Sequence, residues 1–397
     1  MTETPEAVDI LIVGAGPVGL TLHRALAAGG QSSLLIDRQP RSAALADPRA
    51  LALAHGARQL LEQIGSWPTG AATPIETIHI GQQDGLGRTL LDRADYGLPA
   101  LGYVLRYRDL AAALAASVAA GSLLEEAEIV DISASDQPQP PSPGPSPTRG
   151  EGSEGLVVTL RHASQSRKIR CKLLVHAEGA SGHAPDVACH DYAQHAVICE
   201  VRPSPGHNRR AWERFTPDGP LALLPLGEQY SVVFTLPPAK AEAVMALDDA
   251  AFVAALQSQF GERLRFADPG PRFSFPLALR QRRHLASGSE VWIGNAAQTL
   301  HPVSGQGFNL GLRDAWQLAE ILLNDGISPA SLRRYAARRQ LDRRGAAAFT
   351  DGVVKVFSND FPPLKLARGL GLLALDLFPP ARRFVAKRMI WGARAWP

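Results

Sequence analysis

The hydrophobic pattern of the N-terminal region predicts a strand, a helix and a second strand in close succession. Residues 9–13 are an apolar run behind one acid, which is typical of a buried parallel strand. The run leads into the glycine-rich segment 14–19 and then into a helix predicted through Ala28. A second apolar run, residues 33–36, ends at Asp37. These elements predict a βαβ unit with a glycine-rich turn after its first strand.

The middle of the chain first continues this alternation and then changes to a β pattern. Residues 111–119 predict a helix, and residues 171–176 predict a strand that runs into Glu178-Gly179. From about residue 190 to residue 280 short apolar runs predict mainly strands, with residues 75–80 as a further strand from earlier in the chain. The predicted strands of this region cover residues 196–201, 211–215, 221–226, 230–236 and 273–277, with a turn at 217–219 and a helix over 248–260.

Near the C-terminal third, a strand over residues 291–293 ends in Gly294-Asn295 and passes through Pro302 to Ser304-Gly-Gln-Gly307. A helix is predicted from about Phe308 to Leu323. Gly305 and Gly307 let the backbone come close to a ligand, and the start of the helix directs unbonded N–H groups at it. This segment therefore predicts a site for a flat, partly anionic ligand.

The N-terminal turn has the spacing G-x-G-x-x-G of a dinucleotide-binding motif. Gly14 would make the tight turn, Gly16 would let a pyrophosphate approach, and Gly19 would let the helix pack on the strand. Asp37 would accept hydrogen bonds from a ribose diol. A glycine triplet alone is more often an ordinary strand-to-helix turn. The strand, helix and acid around this one favour dinucleotide binding.

The two ends of the chain together resemble the single-component flavoprotein aromatic hydroxylases, the family with the p-hydroxybenzoate hydroxylase fold. Within that family the chain is most similar to the branch of 2-octaprenyl-6-methoxyphenol hydroxylases of ubiquinone biosynthesis. The matching segments are residues 213–225, 294–302, 305–314 and 350–359. The resemblance covers nearly the whole chain.

This resemblance implies a chemistry and a set of cofactor contacts. The expected reaction is hydroxylation of a prenylated phenol by O₂ through a flavin C4a-hydroperoxide, with FAD as cofactor and NAD(P)H as transient reductant. It leaves open a place in a ubiquinone-biosynthesis protein complex. The expected FAD contacts are Gly14, Gly16, Pro17, Gly19, Asp37, Arg38, Arg49, Arg106, Gly294, Asn295, Pro302, Gly305, Gln306, Gly307, Phe308 and Asn309.

Two positions depart from the family pattern. Asn295 stands where the wider family carries an Asp, although an amide can still bond a ribityl hydroxyl. The family's Asp-Gly motif followed by Ser and Arg is Glu178-Gly-Ala-Ser181 here, with no Arg after it. The second departure puts the contacts to the nicotinamide in question more than the fold.

The sequence contains no convincing catalytic triad, paired carboxylate or metal cluster. Because the flavin carries the oxidising chemistry, the protein is expected to position the substrate and exclude water. His301 and Pro302 are the candidates for acting at the substrate, but a His before Pro in a tight loop is also typical of a structural residue. An Arg after a Pro is usually a surface residue, but the motif around Arg49 favours a contact to the cofactor.

The expected fold class is α/β. A Rossmann-like FAD-binding domain of the p-hydroxybenzoate hydroxylase fold (residues 1–74, 100–182 and 281–350) is interleaved with a mixed β-sheet substrate domain (75–99 and 183–280). A helical segment follows over residues 351–397. Residues 135–155, rich in Pro, Gly and Ser, predict a disordered insertion in a hairpin between strands at 128–132 and 156–160.

Composition and charge add the cellular context. The 397 residues are 45% hydrophobic and 20% charged, so the chain can form one large or two medium cores. The acidic N-terminus and the glycine-broken first apolar run predict neither a signal peptide nor a spanning helix, hence a cytoplasmic protein. Cys171, Cys189 and Cys199 have no metal-binding spacing and are expected to be core residues.

The net charge of +3 gives no reason to expect nucleic-acid binding, but its distribution is uneven. Beyond Leu364, apolar residues are interleaved with cations and with a single acid, Asp376. The cations are Lys365, Arg368, Arg382, Arg383, Lys387, Arg388 and Arg394. This pattern favours a peripheral membrane contact at the inner face of a membrane. The alternative is that the apolar stripe packs on the body of the protein.

Three alternative functions remain open from sequence. The first is a flavin hydroxylase of the same fold with another ring position or aromatic substrate. The second is a flavoprotein reductase or dehydrogenase that inserts no oxygen. The third is a non-catalytic FAD-binding subunit of a biosynthetic complex.

Overall fold

The structure is a computed structural model that describes residues 5–135, 155–163, 165–180, 184–357 and 361–391. Its strands are β1 (Glu6–Val13), β2 (Leu34–Ile36), β3 (Ala50–Ala54), β4 (Thr73–Ile75), β5 (Thr77–Gln82), β6 (Arg88–Asp92), β7 (Gly102–Arg106), β8 (Leu123–Leu124), β9 (Ala127–Ala134), β10 (Leu156–His162), β11 (Gln165–His176), β12 (Val187–Ser204), β13 (Arg210–Thr216), β14 (Gly219–Leu226), β15 (Gln229–Leu236), β16 (Arg265–Ala267), β17 (Phe273–Arg282), β18 (Ala286–Ser287), β19 (Glu290–Trp292) and β20 (Gln298–Thr299).

The helices lie between and after these strands. They are α1 (Pro17–Ala28), α2 (Arg41–Leu45), α3 (His55–Gln63), α4 (Tyr107–Ala115), α5 (Pro238–Met245), α6 (Asp249–Phe260), α7 (Gln306–Asp325), α8 (Pro329–Phe357), α9 (Pro362–Leu377) and α10 (Pro379–Trp391). None of the helices in the described part of the chain combines the length and apolar character needed to cross a lipid bilayer.

The first sheet contains the predicted βαβ unit. Its strand order is β18-β19-β11-β1-β2-β8, and β1 pairs in parallel with both β2 and β11. Ile10 and Ile12 of β1 pack in the core with α1 and α7, whereas Leu11 packs on the opposite face with Val158 of β10. Both faces of β1 are thus covered, which explains its unbroken apolar sequence.

The second sheet is built from the β-rich middle of the chain. Its order is β20-β17-β12-β15-β14-β13-β5-β6, with β16 paired to β12. A small third sheet has the order β3-β7-β4, and its strands come in the sequence between strands of the other two sheets. Segments of the first and second sheets alternate along the chain, and on this alternation we propose the division into interleaved FAD-binding and substrate domains.

Some element boundaries differ from the sequence-based prediction. Helix α4 begins at Tyr107, four residues before the predicted start, and ends at Ala115. The predicted strand over 75–80 is two strands, β4 and β5, because the chain changes sheets at Glu76. There Glu76 donates its N–H to the Arg209 carbonyl at 2.9 Å and accepts from the Arg93 N–H at 3.0 Å. Cys189 is exposed, so the expectation of a core residue is wrong for it, whereas Cys171 and Cys199 are buried.

The predicted hairpin and the helical C-terminal segment are both present. Strands β9 and β10 pair in antiparallel fashion, and the Ser135 N–H donates to the Gly155 carbonyl at 2.7 Å. Residues 136–154, most of the predicted disordered insertion, lie outside the described residues. The α/β class with a helical C-terminal segment is confirmed.

A buried network of ion pairs connects β19, α7 and α8. Asp314 of α7 accepts hydrogen bonds from the Gly294 N–H at 3.0 Å, from Gln298 Nε2 at 2.6 Å and from Arg339 Nε at 2.6 Å. Arg339 of α8 also bonds Asp342 at 2.7 Å and is fully buried. Burial opposes ionisation of Asp342, but Arg313 and Arg339 outweigh it and hold the pKa of its carboxyl well below the usual range. The turn at Gly294 is therefore fixed to both helices.

We expect replacement of Arg339 to destabilise the fold strongly. Arg339→Met leaves two buried carboxylates without their shared cation, which should lower the free energy of unfolding by about 3–5 kcal/mol. Urea unfolding at neutral pH measures this loss. Arg333→Met, at an exposed position of the same helix, is the control and should change stability by less than about 0.5 kcal/mol. Equal losses in the two variants would contradict a structural role for the network.

Candidate functional site

The two glycine-containing segments predicted to bind one ligand lie against each other in the fold. Val18 of α1 packs at the turn after β19, where a Cβ added to Gly294 would stand 3.1 Å from Val18 Cγ1. A Cβ on Gly311 of α7 would stand 3.0 Å from Val18 Cγ2. The start of α1 and the start of α7 are thereby held at a fixed distance from one another, although they are far apart in sequence.

The N-terminal glycine turn leaves no room for side chains at two positions. Gly14 has φ +102°, and a Cβ there would stand 2.6 Å from the Ala177 carbonyl carbon. A Cβ on Gly19 would stand 2.0 Å from the Gly14 oxygen. Gly16 is the N-cap of α1, and Pro17 is its first residue. The turn thus has the geometry expected of a pyrophosphate cradle at a helix N-terminus.

An open cleft of about 320 Å³ lies in front of this turn. Asp37 is fixed at its edge, because Oδ2 accepts the Ala15 N–H at 2.7 Å and Oδ1 accepts the Gln39 N–H at 2.8 Å. Arg49 lines the same cleft, 5.0 Å above the Tyr107 ring. The hydrogen bond from Arg49 to Asp47, with Nη2 and Oδ2 2.5 Å apart, raises the pKa of the guanidinium further. The cleft therefore offers a carboxylate for a ribose and a cation for a pyrophosphate.

Two other predicted cofactor contacts lie elsewhere. Arg38 is exposed and lines a separate polar cleft together with Glu128 and Arg161. Arg106, at the end of β7, forms an ion pair with Glu200 of β12, with Nη2 and Oε2 2.6 Å apart. This pair joins the third sheet to the second. The sequence assigned both arginines to the cofactor, but the structure places neither of them in the cleft of Asp37 and Arg49.

The loop before α7 is fixed by Asn309. Its Oδ1 accepts the Ala54 N–H at 2.8 Å, and its Nδ2 donates to the carbonyls of Ala52 at 2.9 Å and Gly305 at 2.7 Å. Gly305 has φ +61°, and a Cβ there would stand 3.1 Å from the Ala52 Cβ. The Asn309 side chain therefore supports the wall of the site by joining β3 to the start of α7.

The other predicted residues of this loop divide into exposed and internally bonded ones. Asn295 is exposed beside Gly294, and Gly307 is partly exposed. Phe308 packs against the main core. Gln306 is buried, and its Nε2 donates to the Met389 carbonyl of α10 at 3.4 Å. Among these side chains, Asn295 is thus the one whose position suits a direct contact to a ligand.

His301 is held inside the loop. Its Nδ1 accepts the Val303 N–H at 3.1 Å, so Nε2 carries the proton that it donates to Gln194 Oε1 at 3.3 Å. Burial lowers the pKa of His301 to about 4, and the ring is therefore neutral. Pro302 is partly exposed and accepts the Gly305 N–H at 2.9 Å. These contacts favour the interpretation of His301 as a structural residue of the loop over a role at the substrate.

His176, at the end of β11, is a cation that contacts Glu178 of the Glu178-Gly-Ala-Ser181 motif. Its Nε2 lies 2.8 Å from Glu290 and its Nδ1 lies 3.2 Å from Glu178, while its ring stacks on Trp292 at 5.0 Å. Burial opposes protonation, but the two carboxylates outweigh it and raise the pKa of His176 to about 9. A protonated His176 thus faces the carboxylate of the motif that lacks an Arg in this chain.

Glu213 of β13 is a candidate site residue to which the sequence analysis gave no role. Trp212 packs on the side of α6, whereas Ala211 and Phe215 pack on the opposite face against β7 and against Val303. Strand alternation puts Glu213 between Ala211 and Phe215 on that second face. Within the described residues its buried Oε1 accepts no hydrogen bond, and burial raises the pKa of the carboxyl to about 7. In the sequence, the signal that could have identified Glu213 is an acid on an otherwise apolar strand face.

A second, small cavity, of about 70 Å³, lies behind the start of α7. Its lining is apolar apart from Gln306 and Asn309 and includes residues of β3, β5, β6 and β7. Helix α10 closes it with Ala386, Met389 and Ile390. A small apolar group would be sheltered from water there.

Comparison with known proteins gives the family. A family model described as FAD binding domain matches residues 7–108 and 146–350. Ubiquinone hydroxylase UbiL of Rhodospirillum rubrum is 33% identical, over 98% of this chain and 91% of that protein. The 3-demethoxyubiquinol 3-hydroxylase of Escherichia coli is 29% identical, over 94% of this chain and 96% of that protein.

Solved structures show the same fold. p-Nitrophenol 4-monooxygenase PnpA of Pseudomonas putida superposes with a TM-score of 0.74 at 14% identity, covering 97% of this chain and 98% of that one. PqsL of Pseudomonas aeruginosa superposes with a TM-score of 0.73 at 18% identity, covering 92% of this chain and 100% of that one. The chain therefore belongs to the FAD binding domain family and has the p-hydroxybenzoate hydroxylase type of fold found in FAD-dependent hydroxylases.

Proposed function

We propose that this protein is an NAD(P)H-dependent FAD monooxygenase that hydroxylates a polyprenylated methoxyphenol in ubiquinone biosynthesis. The observation that carries the proposal is the packing of both cofactor segments on Val18, which lets one extended dinucleotide reach from the start of α1 to the start of α7. The relatives named as ubiquinone hydroxylases support the substrate class.

The residues present fit FAD. We place its pyrophosphate at Gly14, Gly16 and Gly19 with Arg49 as the cation, and the adenosine ribose at Asp37. Asn295, and Gly305 at the start of α7, would hold the flavin ring, and a side chain at position 305 would collide with Ala52. The positive end of the α7 dipole there would stabilise negative charge on the reduced ring.

Bound FAD would supply the oxygen chemistry by the route that the family resemblance implies, with NAD(P)H as reductant and O₂ as oxidant. The protein positions the substrate, excludes water from the site and provides a proton acceptor. Glu213 lies two residues along β13 from Phe215, roughly 7 Å away, and Phe215 packs on Val303 beside Pro302. We assign Glu213 the role of accepting the phenolic proton, which makes the ring more electron-rich before it receives oxygen.

The apolar tail of the substrate also has a suitable environment. The cavity of about 70 Å³ behind Gln306 is lined by apolar side chains and is bordered by α10. We assign the part of the prenyl chain next to the ring to this cavity, since burying its first carbons there removes them from water at the same time as the ring is held near α7.

Oxygen incorporation tests the reaction class. Protein loaded with FAD and given NADPH, a prenylated methoxyphenol and isotopically labelled O₂ should yield a product that contains one labelled oxygen atom, as detected by mass spectrometry. A product without label would indicate a reductase or dehydrogenase. Labelled product formed from another phenol but not from the prenylated one would assign a different hydroxylase.

Removal of the cleft cation should weaken cofactor binding. Arg49→Met removes a charge-assisted contact to the pyrophosphate, so the Kd for FAD should rise roughly ten- to hundredfold. Flavin fluorescence titration of the apoprotein measures the Kd. Arg333→Met, at an exposed position far along the chain on α8, is the matched control and should leave the Kd unchanged. The placement of the pyrophosphate is wrong if both variants bind FAD as the wild type does.

Glu213 should impose a pH dependence on turnover. With the pKa of its carboxyl at about 7, the group is protonated and cannot accept a proton at lower pH, so kcat/KM for the phenol should rise through about pH 7. Glu213→Gln should remove this rise and lower the plateau roughly hundredfold, with the Kd for FAD unchanged. Glu228→Gln, in the exposed β14–β15 turn, should retain the wild-type profile. A Glu213→Gln profile that keeps the rise would rule out this role.

A further inference from the structure

Helix α9 presents an apolar face to solvent. Leu366, Leu370 and Leu377 are 56%, 55% and 72% exposed, and Leu373 lies in the same stripe. The positions between them on that face are small and apolar as well, namely Ala367, Gly371 and Ala374. An ordinary surface helix instead buries its apolar residues against the protein and exposes its polar residues to solvent.

The orientation of α9 is fixed by polar contacts on its inner face. The carbonyl of Leu372 accepts the Thr89 hydroxyl at 2.8 Å, and Asp376 Oδ1 accepts the Leu90 N–H at 3.2 Å. A Cβ on Gly87 would stand 2.1 Å from the Gly369 oxygen, so the backbone of the helix lies directly on the β5–β6 turn. The buried Arg368 donates to the carbonyls of Phe357 and Leu364. The helix therefore cannot rotate its leucines inward without breaking these bonds.

Helix α10 adds positive charge beside this face. Its inner positions pack on the body, with Ala386 and Ile390 buried, whereas Arg383, Lys387 and Arg388 are exposed. Phe384, 60% exposed, lies among these cations. The single acid in the sequence of the two helices, Asp376, is partly buried and accepts the Leu90 N–H. The outer surface of α9 and α10 is thus a leucine stripe bordered by cations without exposed carboxylates on either helix.

We propose that this surface docks on a lipid bilayer that contains anionic headgroups. The leucines of α9 enter the boundary between headgroups and acyl chains, and the cations of α10 contact lipid phosphates. The uncompensated positive charge favours a lipid surface over a second copy of the chain, because two copies would bring the same cations together. The proposal goes beyond the proposed reaction and rests on the surface of α9 and α10 alone.

Vesicle flotation with the FAD-loaded full chain tests the docking. The protein should float with vesicles of phosphatidylcholine mixed with phosphatidylglycerol, and high salt should reduce the bound fraction. Leu370→Glu with Leu373→Glu should weaken partitioning by roughly tenfold for each leucine replaced. Arg383→Gln with Lys387→Gln and Arg388→Gln should remove the preference for phosphatidylglycerol over pure phosphatidylcholine.

The control is Leu341→Glu, which replaces a leucine on α8 that is 65% exposed, and it should float as the wild type does. Flavin absorbance and thermal unfolding check that each variant is folded and loaded. Absence of flotation by the wild type, or equal flotation of Leu370→Glu with Leu373→Glu, would overturn the proposal. So would sedimentation velocity that shows a wild-type dimer and a monomeric leucine variant, since a second copy would then cover the face.

Discussion

The carboxylate of Asp314 is the group on which the arrangement of the site depends. It is fully buried and accepts bonds from the Gly294 N–H, Gln298 and Arg339. A buried charge is tolerated only while its partners remain in place, so β19, α7 and α8 must stay together. The same bonds hold the turn at Gly294 against Val18 and thereby fix the start of α7 relative to the glycine turn of α1.

From this fixed frame the remaining parts of the site follow by packing. Asn309 ties the loop before α7 to β3, and His301 closes the same loop from within. The second sheet lies on the opposite side and brings Phe215 onto Val303. A cofactor and a phenol would therefore be enclosed between rigid elements, which is what a hydroxylase requires to keep water away from its reactive flavin.

The C-terminal helices connect the site with the outside of the molecule. Helix α10 closes the apolar cavity behind Gln306 and carries exposed cations on its other side. Helix α9, which directly precedes α10, exposes its leucines. Helix α10 thus separates the apolar cavity from its own exposed, cationic side. In the described part of the chain, the cations that the sequence analysis found beyond Leu364 lie on two helices, α9 and α10.

The sequence by itself determined the βαβ unit, the two glycine segments, the β9–β10 hairpin and the helical C-terminal segment. These features have local signals, since glycine conformation and hydrophobic period depend on residues near one another in the chain. Only the tertiary structure decided which polar side chains are engaged in internal bonds. Asn309 bonds Ala52 across 257 positions, Arg106 pairs with Glu200 across 94, and Glu213 remains without a bond at its buried Oε1 within the described residues. Such partners are set by how distant elements pack, and a residue's type and neighbours in sequence do not specify them.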